Sequence, residues 1–135
     1  MRSWLRRLSF RRRWSRLPLV DERYEPTTID VARDEGVKIT FVDGYVARFD
    51  LPTLRAACPC AFCRRRRDQG EAVWPRPESP ADLRIENAEL HGGWGLRLSW
   101  SDGHTTGIFP FEALRRWAEG DAAFGPDSGL GGGVN

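Results

Sequence analysis

At 135 residues, 40% of them hydrophobic and 30% charged, the chain has the size and composition of one ordinary domain with tails and no room for a second. No stretch approaches the ~20 apolar residues that span a bilayer, and no apolar run follows the early arginines as a secretory signal requires, so a helical membrane protein is excluded and a cytoplasmic location is expected, with organellar import as the eukaryotic alternative. The net charge of +2 is too small to imply nucleic acid by itself, but its distribution is uneven: Arg2, Arg6, Arg7, Arg11, Arg12, Arg13 and Arg16 crowd the amino terminus and Arg64 to Arg67 form a second run.

Residues 1–24 are expected to form an arginine-rich flexible leader, in which Trp4, Leu5, Leu8, Phe10, Trp14 and Leu17 give only a ragged helical period. A solvated or partly helical tail is the plain expectation; a transit peptide, a membrane-surface anchor or an RNA-contacting arm are its rivals. Residues 25–120 are expected to hold the folded domain, and 121–135, rich in glycine, a disordered tail.

Within the domain, short β-branched and aromatic runs at Thr27 to Ala32, Val37 to Val42 and Tyr45 to Phe49 predict strands. Asp43-Gly44 between the last two predicts a hairpin with a type I′ turn, because glycine takes positive φ without steric cost. A short helix is expected over Leu51 to Ala57, capped by Asp50 and carrying Pro52 in its first turn, and Pro59 ends it by driving Cys58 out of helical geometry. Arg64 to Pro80, polar and holding Pro75, Pro77 and Pro80, predicts a loop. Strands resume at Leu83 to Leu90, Trp94 to Trp100 and Thr105 to Phe109, with a turn at Ser101-Asp102-Gly103. Phe111 to Ala118 follows at helical spacing and Gly120 closes it.

An internal repeat emerges from this order. The run from Val37 to Gly44 matches that from Leu96 to Gly103 position by position, and each leads through a strand into a Leu-Arg helix, Leu54-Arg55 and Leu114-Arg115. The predicted fold is therefore α+β: mainly antiparallel β hairpins with two short helices, built as pseudo-repeated strand-hairpin-strand-helix units that share one core and are stapled by zinc. The copies differ where chemistry would live, since Tyr45 stands where the other copy has His104 and only the first helix runs into cysteines.

Those cysteines form the strongest chemical signal. Three of them cannot pair completely, and Cys58-Pro-Cys-Ala-Phe-Cys63 has the knuckle spacing of a metal site. Thiolates so close together repel, and a bound dication keeps them deprotonated and near one another. A closed zinc site takes a fourth ligand, for which the softer candidates are His91 and His104. His104 is preferred because it follows the Asp102-Gly103 turn, where a hairpin can present a side chain to a neighbour. A Cys3His set around Zn2+ carries a formal charge of about −1, which Arg64 to Arg67 are placed in sequence to offset.

Leu54-Arg55, Cys58 to Cys63, Leu98-Ser-Trp-Ser-Asp-Gly-His104, Thr106-Gly-Ile-Phe109 and Leu114-Arg115 together resemble the gamma-butyrobetaine hydroxylase-like N-terminal domain family, from about Pro26 to Trp117. The resemblance implies an accessory zinc-binding unit, as in dioxygenases where it precedes the catalytic domain, with Cys58, Cys60, Cys63 and His104 as ligands. Relatives also occur as short stand-alone bacterial proteins, which this chain resembles, and as appendages to ATPases that carry iron–sulfur clusters. The arginine-rich leader has no place in the family pattern.

The chain is expected not to be an enzyme. Non-haem iron(II) oxygenase chemistry needs two histidines and a carboxylate around open positions, which the spacing does not supply. A Cys63-His104 nucleophile pair lacks an identifiable oxyanion turn or orienting group. The expected function is a small zinc-binding interaction module with a protein partner. Assembly or transfer of an iron–sulfur cluster on the same residues is the alternative, and RNA contact through Arg2 to Arg16, with Trp4 and Trp14, is a second.

Overall fold

The computed structural model describes residues 4–9, 22–75, 77, 79, 82–121 and 124–125, and of 4–9 only the strand they form. Its architecture is α+β, as expected. Strands β1 (Trp4–Ser9), β2 (Pro26–Ala32), β3 (Gly36–Phe41) and β4 (Val46–Asp50) form a four-stranded antiparallel sheet in that order. Strands β5 (Ile85–His91), β6 (Gly95–Trp100) and β7 (Gly107–Pro110) form a three-stranded one. Helix α1 (Leu51–Ala56) follows β4, α2 (Ala61–Asp68) follows the cysteines and α3 (Phe111–Ala118) follows β7. Among the described residues no helix is long and apolar enough to cross a membrane.

Local chemistry accounts for the elements. In β4 the inward Ala47 and Phe49 alternate with the exposed Val46, Arg48 and Asp50, the period of a half-buried strand. Asp50 then caps α1, its Oδ1 accepting from Thr53 N at 2.9 Å, with Pro52 in the first turn where no donor is lost.

The repeat is longer than its spelled sequence. Ile29, Ile39 and Ala47 lie side by side across the first sheet as Ala88, Leu98 and Gly107 do across the second. Both sheets break register at the same place, between Pro26 and Thr28 and between Ile85 and Asn87. The tying hydrogen bonds match too: Val42 N to Glu25 O and Ser101 N to Arg84 O are both 2.8 Å, and Leu51 N to Glu35 O has its counterpart in Phe111 N to Trp94 O. Each unit is thus three strands and a helix, and the two bury one common core to which Ile29, Ile39 and Leu54 come from the first and Ile85, Leu98 and Leu114 from the second.

Three local expectations are corrected. The Asp43-Gly44 turn is not type I′, because only Gly44 has positive φ (91°) whereas that turn needs it at both central residues. Gly44 N donates to Phe41 O and Phe41 N to Tyr45 O, a three-residue loop closed by a glycine bulge; Gly103, Trp100 and His104 repeat it. Arg64 to Arg67 are helical, not loop: Cys60 caps α2, arginine favours helix, and a Schellman closure (Gly70 N to Arg67 O, Glu71 N to Arg66 O) ends it before the prolines. Trp4–Ser9, expected as flexible or partly helical leader, is a strand that covers the edge of β2. Glu22–Tyr24, also within the expected leader, form a short 3-10 helix; the other leader residues, 1–3 and 10–21, and tail residues 122–123 and 126 onward lie outside the described residues.

Candidate metal centre

The end of α1 and the start of α2 place the three sulfurs. Cys58 follows the last turn of α1, its N–H donating to Arg55 O, and Pro59 prevents the helix from continuing. Cys60 is the N-cap of α2, with Sγ accepting from Cys63 N at 3.4 Å, so the C-x-x-C spacing turns both sulfurs the same way. His104 closes the β6–β7 hairpin, where its N–H donates to Asp102 Oδ1 at 3.1 Å and its C=O accepts from Trp100 N.

His104 Nε2 lies 3.1 Å from Cys58 Sγ, 3.4 Å from Cys60 Sγ and 3.5 Å from Cys63 Sγ. The four donor atoms all fall within 4.8 Å of one another. A tetrahedral ion with metal–sulfur bonds near 2.3 Å and metal–nitrogen bonds near 2.0 Å puts sulfur and nitrogen about 3.5 Å apart. The cluster therefore has the dimensions of a single-ion site and could hold a metal. His91 is not part of it: its ring stands edge-on to Trp94, 5.2 Å between centroids.

Electrostatics set the sulfurs against each other. A hydrogen bond from Cys58, with His104 beside it, holds the Cys63 thiol down at about 3, while that same bond and burial push the Cys58 thiol well above its ordinary value.

Two residues that the spacing does not flag complete the site. A Cβ on Gly107 would stand 2.8 Å from Cys58 Sγ, so the sulfur occupies the space a side chain would fill. The matching position of the other unit is Ala47. Arg55, buried at the end of α1, directs Nη1 to Cys63 Sγ at 3.7 Å. Its only trace in the sequence is the doubled Leu-Arg. Within the Arg64 to Arg67 run, Arg67 donates to Ala56 O and Cys58 O and its charge acts on all three cysteines, while Arg66 donates to Ala72 O. At the matching place Tyr45 replaces His104 and its hydroxyl donates to Ala118 O, with the Arg115 guanidinium 4.1 Å from the Tyr45 ring centroid; no cysteine follows α3 as Cys58, Cys60 and Cys63 follow α1.

Residues 28–115 match the family described as Gamma-butyrobetaine hydroxylase-like, N-terminal. The chain belongs to this family. This gamma-butyrobetaine hydroxylase-like domain is 31% identical over 75 residues to gamma-butyrobetaine dioxygenase of Pseudomonas sp. (strain AK-1), a match over 56% of this chain. It spans only 19% of that enzyme's length. Its fold is similar to the crystal structure of a protein of unknown function from Acidithiobacillus ferrooxidans ATCC 23270, with TM-score 0.57 and 28% identity, over 76% of this chain and 99% of the other.

Proposed function

We propose that this domain is a zinc-stapled accessory module, without catalysis of its own, that serves a protein partner in a reducing compartment such as the cytoplasm. The observation that carries this is the set of four protein donors within 4.8 Å. Zinc sites that catalyse keep a position open for water or substrate, whereas four protein ligands close the tetrahedron. Sulfur and imidazole favour zinc over hard cations such as magnesium or calcium. An iron–sulfur cluster distributes its ligands over several irons, a wider spread than these donors have. Reduced thiols suit a reducing compartment. The accessory role is supported by the dioxygenase relative, in which the matched segment is a small part of a longer chain.

In this function Cys58, Cys60, Cys63 and His104 hold the ion, and the ion pins the α1–α2 corner to the β6–β7 hairpin. Thiol titration tests it. Three thiols protected in the purified protein and released together by chelator are expected; one hyperreactive cysteine in metal-free protein contradicts it and favours a catalytic thiol.

A further inference from the structure

We infer that Arg55 is a positioning residue of the metal centre, donating to the Cys63 sulfur while fixing, through Asp102, the hairpin that presents His104. The inference rests on the metal-binding function proposed above and concerns a residue outside the ligand set. Arg55 is 1% exposed, and its Nε and Nη2 each lie 3.0 Å from Asp102 Oδ2. The other oxygen of Asp102 accepts from His104 N. Nη1, the remaining arm of the fork, is 3.7 Å from Cys63 Sγ. One planar guanidinium thus reaches both contributors to the site, the sulfur-bearing corner and the imidazole-bearing hairpin.

The second unit separates structure from site. Arg115 occupies the position matching Arg55 and grips Asp43, though end-on: Nη1 and Nη2 lie 3.1 and 2.9 Å from its two oxygens, where Arg55 sets Nε and Nη2 on one oxygen of Asp102. Its other hydrogen bonds go to Arg23 O and to Glu119, and none goes to sulfur. The arginine–aspartate clamp is common to both units, so it belongs to the fold. The N–H···S contact occurs only where the sulfurs are, so it belongs to the centre. Donation to a thiolate withdraws electron density from sulfur and fixes its lone pairs, as outer ligands do around other metal sites.

Cobalt(II) uptake by the full chain tests this, read by the thiolate-to-cobalt charge-transfer band and by competition with a chromophoric chelator. Arg55→Gln is expected to move the band to lower energy and weaken cobalt binding by about tenfold or more. Arg115→Gln, which breaks the matching clamp, is expected to leave both unchanged. Equal changes in the two variants, or none in either, overturn the inference; a wild-type chain that takes up no cobalt removes the metal-binding function itself. If Arg55→Gln does not fold, wild-type protein loaded with cadmium-113 carries the test. An Arg55 guanidinium proton coupled to cadmium through the sulfur is expected, and a fully resolved guanidinium without coupling overturns it.

Discussion

Arg55 in the first unit grips Asp102 in the second, with Nε and Nη2 each 3.0 Å from the same carboxylate oxygen. Arg115 and Asp43 make the reciprocal pair, so each helix holds the hairpin turn of the opposite unit. The two units are cross-braced rather than merely packed. Because each turn aspartate also receives the N–H of the residue two positions on, Tyr45 or His104, the brace fixes the orientation of the side chain that follows the turn.

The brace makes acid stability depend on Asp43. The Arg115 guanidinium, bonded to both its oxygens, holds the Asp43 carboxyl below its ordinary value of 3.8. A depressed carboxyl contributes stability that is complete above the ordinary value and is lost as pH falls through the lower, folded-state one. Asp43→Asn should therefore be less stable than wild type at neutral pH, with the gap closing as pH falls below about 4. Urea unfolding across that range reads it; two curves that stay parallel would count against the brace.

Gly107→Ala should expel metal while leaving the metal-free fold standing. The new Cβ meets Cys58 Sγ at 2.8 Å, yet Ala47 shows that alanine suits the matching strand position. Zinc affinity should fall at least about tenfold, by analogy with other residues that position metal ligands, and the melting temperature of chelator-treated protein should hold or rise. Unchanged affinity in chelator competition would contradict the placement of Cys58 against β7.

The two histidines should behave oppositely. His104→Ala or Cys60→Ser should abolish stoichiometric zinc. With free zinc a thousandfold above Kd, binding alone adds about 4 kcal/mol to folding, so those variants should unfold far earlier in denaturant. His91→Ala removes only the edge contact with Trp94 and should change neither property.

Tyr45→Phe probes the position that matches His104, against the end of α3 where no cysteine follows. It deletes the hydroxyl bond to Ala118 O and should cost about 0.5–1.5 kcal/mol, the usual net worth of such a bond, with metal content unchanged. A loss of metal would mean that the two units communicate more strongly than their separate hydrogen bonds imply.

The clustering of Cys58, Cys60, Cys63 and His104 is legible in the sequence because soft donors at C-x-C-x-x-C spacing point to one another, and because a turn histidine can meet them. The hairpins and the first and last helices are legible because Asp-Gly, Asp50-Leu-Pro and Gly120 are local signals. Arg55 is not legible: nothing in Leu54-Arg55 tells which turn it will meet, and the answer comes from the packing of the two units. Gly107 is equally silent, since the sulfur that excludes a Cβ there lies in a distant segment. Helix α2 is obscured by the polarity of its arginines, which reads as loop although their backbone preference is helical. Strand β1 depends on an edge of β2 that exists only once the sheet has formed.

X-ray absorption at the zinc edge, with elemental analysis of untagged protein, tests the central claim most directly. One zinc per chain is expected, with three sulfurs near 2.3 Å and one nitrogen near 2.0 Å. A chain purified without metal, a shell lacking the nitrogen, or brown protein containing inorganic sulfide would contradict it.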